Sequence, residues 1–143
     1  MQKIERTINV NASSSKVWKV LTDIQLMKQW MAEPEMQLEI ITDWIVGGNI
    51  IIQGFLQEKF ENRGTVLRLD LEKLLNYNYL SSISHLPDLP ENYSTVEFSL
   101  DFDGNRTSLT IRVENFPTES IFRHLEFYWL EVSEILREFI EDL

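Results

Sequence analysis

The sequence contains no cysteine. Disulfides, thiolate chemistry and cysteine-held zinc are excluded from the outset. Basic residues are scarce too: 13 Lys and Arg face 23 Asp and Glu, a formal net charge of −10, and no basic run offsets it locally. Binding to nucleic-acid phosphates rests on Lys and Arg, so no nucleic-acid partner is expected. An anionic membrane surface is disfavoured for the same reason. No uncharged apolar run approaches the roughly 20 residues that a spanning helix needs, so no membrane insertion is expected either. Met1 to Arg6 lack the apolar stretch of a signal peptide, and the expected location is cytoplasmic. The two histidines, His85 and His124, lie far apart with no ligand spacing around them, so neither a metal nor a cofactor is expected. Glycine is rare, and Gly47-Gly48 reads as a hairpin turn rather than a phosphate-binding loop. No serine sits in a nucleophile motif.

What is there is a chain of 143 residues, 43% apolar, the size of one domain with a real core; residues 1–143 are read as that single domain. Its end organises the rest. After Asn115-Phe116-Pro117-Thr118 the chain runs to Leu143 with no further Pro or Gly. Thr118 suits an N-cap, and Glu119 suits the positive end of the helix dipole. Ile121, Leu125, Tyr128, Trp129, Val132, Leu136, Phe139 and Leu143 recur at three- and four-residue spacing. That is a wide apolar stripe on one long helix.

The preceding chain supplies a sheet for that stripe to lie on. Lys3 to Val10 alternates as a strand. Asn11 to Ser15 offers caps, and apolar residues from Val17 then repeat with helical period, predicting helices over 14–22 and 24–30. Met36 to Ile40 reads as a strand, and Ile50 to Leu56 as another. A strand beginning near Glu61 places Leu67, Leu69 and Leu71 on one face. Leu75, Tyr77, Tyr79 and Ser81 share a face of the next. The two prolines of Leu86 to Asn92 make that segment a loop. Val96, Phe98, Leu100 and Phe102 alternate, Asp103-Gly104-Asn105 turns, and Leu109, Ile111 and Val113 complete a hairpin. The fold expected is α+β: a curved antiparallel sheet of about seven strands wrapped around a long C-terminal helix, with two short helices after the first strand.

Several segments then appear in a telling order: Val17-Trp18, Trp30, Phe60-Glu61-Asn62-Arg63-Gly64-Thr65-Val66, Leu86-Pro87-Asp88-Leu89-Pro90-Glu91-Asn92-Tyr93, and Asn115-Phe116-Pro117-Thr118-Glu119 followed by Trp129. Together they resemble the SRPBCC (START-like, helix-grip) superfamily, and most closely its bacterial branch named after the activator of the heat-shock-protein-ninety ATPase. The resemblance covers nearly the whole chain. It implies the helix-grip fold and a deep, mostly apolar cavity between the long helix and the sheet. The superfamily includes lipid and hormone carriers, polyketide aromatase/cyclases and co-chaperone domains.

The expected function is therefore the binding of an apolar or aromatic small molecule. The alternatives are a cyclase-type enzyme and a co-chaperone-like interaction domain. The expected cavity wall comprises Leu67, Leu69, Tyr77, Tyr79, Phe98 and Tyr128, around a volume on the order of 300–1,000 Å³. The Leu86 to Asn92 loop is expected near one mouth. His124, one turn before Tyr128, joins the tyrosines as a group able to orient a ligand or move a proton; the plainer reading is a packed core with satisfied hydroxyls. Arg63 faces inward if alternation with Leu67 holds and could receive a ligand carboxylate; the plainer reading is an ion pair with a nearby acid. Phe127 and Leu130 fall on the polar side of the helix, either as scattered exposed residues or as a homodimer contact.

Overall fold

The computed structural model describes residues 2–143. Strand β1 (Lys3–Val10) leads into helices α1 (Ser14–Thr22) and α2 (Ile24–Trp30). Six strands follow: β2 (Glu39–Thr42), β3 (Asn49–Leu56), β4 (Glu58–Asp70), β5 (Leu74–Ser81), β6 (Ser94–Phe102) and β7 (Thr107–Glu114). Helix α3 (Glu119–Asp142) ends the chain. All strand pairs are antiparallel, in the order β1-β7-β6-β5-β4-β3-β2. Consecutive strands from β2 to β7 are neighbours, whereas β1 and β2 occupy opposite edges. The chain between them must cross the width of the sheet, and α1 and α2 make that crossing.

Local chemistry sets the helix boundaries. Ser13 Oγ accepts from the Lys16 N–H, and Asp23 Oδ1 accepts from the N–H groups of Gln25 and Leu26. Asp23 thus ends one helix and starts the next. Thr118 Oγ1 accepts from the Ile121 N–H at 3.1 Å, capping α3. Two indoles pin the crossing segment: Trp30 Nε1 donates to the Val20 carbonyl and Trp44 Nε1 to that of Thr22.

Helix α3 lies across the concave face of the sheet. It buries Trp129, Val132, Ser133, Leu136 and Ile140. The stripe is thus close to that expected, but Ile140 rather than Phe139 or Leu143 closes its end, and Leu125 is only half-buried. Beneath it Phe98 is the aromatic hub. Its ring meets those of Trp30 (6.5 Å), Tyr77 (6.5 Å) and Trp129 (5.9 Å), centroid to centroid.

Two strand readings are corrected. The strand expected over Met36–Ile40 begins only at Glu39. Pro34–Met36 forms a 3₁₀ turn, and Gln37 follows in the left-handed region at φ 50°. Up to the bulge the inward residues of β4 are Phe60, Asn62, Gly64 and Val66, while Leu67, Leu69 and, just past the strand, Leu71 are exposed. The pairing with β5 shifts by one residue between Val66 and Arg68, and such a bulge inverts the phase of everything counted across it.

Candidate functional site

Inward residues of β3, β4 and β5 and the adjoining face of α3 do not close on one another. They leave a cleft of about 540 Å³. One wall is the sheet: Ile52, Phe60, Asn62, Tyr77, Tyr79 and Ser81. The other is α3, with Leu125, Tyr128, Trp129 and Val132, and the end of α2 contributes Trp30 and Met31. Gly64 permits the close approach of β4 and β5 beside the cleft: a Cβ there would clash with the Asn78 carbonyl oxygen. The Asn78 side chain repairs the ladder beside it, its Oδ1 accepting from the Thr65 N–H at 2.8 Å.

The structure brings four of the eight sequence-predicted residues to the cleft: Tyr77, Tyr79, His124 and Tyr128. Phe98 is 2% exposed and lies behind the wall as the core hub. Leu67 falls at the bulge and is exposed, and Leu69, though paired with the inward Leu75, is also exposed and does not border the cleft. Arg63 points outward, where its Nε donates to Glu61 Oε2 at 3.1 Å. Counting inward from Leu67 across an unseen bulge gives it the wrong face. The Leu86 to Asn92 loop does not line the cleft; it is tied to the start of α3 through the Asn115 side chain, which donates to the Glu91 and Tyr93 carbonyls. Ile83, in the preceding 3₁₀ turn, stands at the rim instead.

The three tyrosines differ in what their hydroxyls do. Tyr128 donates to the Met31 carbonyl at 2.7 Å and so ties α3 to the end of α2. Among the described residues the Tyr77 and Tyr79 hydroxyls make no side-chain hydrogen bond. Burial raises the pKa of all three, and neighbouring tyrosines add to the rise for Tyr79 and Tyr128. All three are neutral phenols at physiological pH. His124 is exposed at the mouth. Among the described residues no three His, Asp or Glu side chains converge as a metal site.

Sequence reasoning missed Asn62, Phe60 and the rim residue Phe127. Asn62 and Phe60 share the parity of Gly64 and Val66, and reading β4 from its buried Val66 outward would have found them. Phe127 falls on the polar side of the helical projection, yet it borders the cleft while 70% exposed.

A curved seven-stranded antiparallel sheet gripping a long C-terminal helix, with a cleft between them, defines the helix-grip class. The chain belongs to the family of Activator of Hsp90 ATPase homolog 1-like proteins, whose profile matches residues 11–141. Among solved structures, ChR145 from Cytophaga hutchinsonii is 27% identical, with a TM-score of 0.82 over 99% of this chain and 95% of that one. The Aha1 dimer from Colwellia psychrerythraea is 21% identical, TM-score 0.76, over 99% and 97% of the two chains. CalU16 from Micromonospora echinospora is 22% identical, TM-score 0.73, over 96% of this chain and 75% of that one. The last two likenesses are of fold alone. No curated protein matches the sequence. No helix among the described residues is long and apolar enough to cross a membrane.

Proposed function

We propose that the protein binds an apolar or aromatic small molecule in the cleft between α3 and the sheet, without covalent chemistry. The observation that carries this reading is the cleft itself: about 540 Å³, walled by aromatic and aliphatic side chains. Its volume is that of a ligand pocket. A binding role fits the polar groups better than an enzymatic one. The Tyr128 hydroxyl is committed to the Met31 carbonyl, and His124 stands at the solvent-facing mouth, so no base is held inside the cleft.

The test is a panel of fatty acids, polycyclic aromatic compounds and sterols, read by thermal shift and by tryptophan emission. Trp30 and Trp129 both border the cleft, so an occupant should change their fluorescence. A ligand that binds only the native state raises stability by about 2.7 kcal/mol at a hundredfold excess over its Kd. If no compound moves either signal, the binding reading fails and a protein-interaction role takes its place.

A further inference from the structure

The wall of the cleft carries polar groups whose hydrogen-bonding capacity the protein does not use. Asn62 is the sharpest case. It sits on the inward face of β4, opposite Ile52 on β3 and Ser81 on β5, and all three border the cleft. Its Oδ1 is enclosed and has no hydrogen-bond partner. A buried carboxamide left unpaired costs free energy that an apolar residue at the same place would not. Tyr77 and Tyr79, two positions apart on β5, aim their unpartnered phenols into the same space. Burial keeps both protonated, so each can donate. Charge narrows the choice further. Among the described residues no Lys or Arg borders the cleft, while Glu33 and Glu131 stand exposed at its edge. A carboxylate or phosphate would lose its hydration there and gain no cation in return. The apolar remainder is rich in rings, among them Trp30, Phe60 and Trp129, which favour a flat occupant through offset and edge contacts.

We infer that the cleft selects a neutral, flat aromatic molecule carrying a hydroxyl group, with that hydroxyl hydrogen-bonding to the Asn62 carboxamide and to Tyr77 or Tyr79. This inference rests on the binding reading above and specifies its ligand class. Among neutral aromatics it favours hydroxylated over bare rings, and among polar ones it rejects acids.

The experiment compares 2-naphthol, naphthalene and 2-naphthoate at pH 7 against the full chain, by tryptophan fluorescence. The expected order is naphthol tightest, by roughly threefold to tenfold over naphthalene for one net hydrogen bond, and naphthoate weakest. Asn62→Leu should abolish the preference for naphthol over naphthalene within that variant. The variant has no native side-chain partner to lose at this position, so it should melt at or above the parent temperature. Tyr79→Phe is the second variant and should also narrow the naphthol preference. Equal binding of naphthol and naphthalene, a preference untouched by both variants, or tightest binding by naphthoate overturns the inference while leaving small-molecule binding intact. If none of the three binds but another compound of the wider panel does, the inference alone falls; if nothing at all binds, both fall.

Discussion

The hydroxyl of Tyr128 donates a 2.7 Å hydrogen bond to the backbone carbonyl of Met31, 97 residues earlier in the chain. The bond joins the middle of α3 to the residue that ends α2, along the border of the cleft. Tyr128→Phe keeps the ring and its 5.0 Å edge contact with Trp129 but leaves the Met31 carbonyl without that donor. The expected cost is about 1 kcal/mol of stability, read as a lower urea midpoint at unchanged slope.

Among the described residues, helix α3 is the sheet's only long cover. Leu136 is fully buried on it, so Leu136→Ala should cost about 2–5 kcal/mol. Deleting everything after Asn115 should abolish folding. A truncated chain with a cooperative melt would refute this.

Gly64 is required by close approach rather than by its backbone angles. A Cβ at this position would overlap the Asn78 carbonyl oxygen, a backbone atom of β5. Gly64→Ala should destabilise by at least the ~1–3 kcal/mol typical of overpacking. Gly104→Ala should not clash, since nothing lies within 4 Å of its Cβ position; strain at its φ of +100° is its only penalty.

The four tyrosines offer a pH experiment. Tyr77, Tyr79 and Tyr128 have pKa values raised chiefly by burial, and Tyr93 has its pKa raised first by the hydrogen bond its hydroxyl donates to Asp88. Each folded-state pKa lies above the unfolded value near 10. Their contribution is therefore fully present below pH ~10 and is lost as pH rises through the folded values. The phenolate absorbance of Tyr77, Tyr79 and Tyr128 should stay low through pH ~10 and then rise together with the loss of native circular dichroism. A gradual titration of all four centred near pH 10 in the folded protein would contradict the burial.

Phe127 and Leu130 are both exposed, at 70% and 52%, but only Phe127 borders the cleft. Phe127→Ser should weaken ligand binding with little change in melting temperature. Leu130→Ser should change neither. A fall in sedimenting mass caused by Leu130→Ser would assign this face of the helix to self-association between two copies.

The order and type of the elements were legible in the sequence because both are local. Alternation in Tyr77 and Tyr79, the three- and four-residue spacing of Trp129, Val132 and Leu136, and the Ser13 and Thr118 caps depend on neighbours within a few residues. Strand phase and hydrogen-bond partners are not local. Whether Leu67 or Val66 faces the helix is decided by the pairing of β4 with β5, and one extra residue after Val66 inverts it. The same inversion sends Arg63 out to Glu61 and brings Asn62 in. Phe98 alternates inward as expected, yet whether it borders open space or fills it depends on Trp30 and Trp129 arriving from two different helices. The sequence therefore determined a sheet, a gripping helix and tyrosines between them. Tertiary packing alone decided where the space lies and which polar atoms are left facing it, because a void is set by side chains that meet from distant parts of the chain.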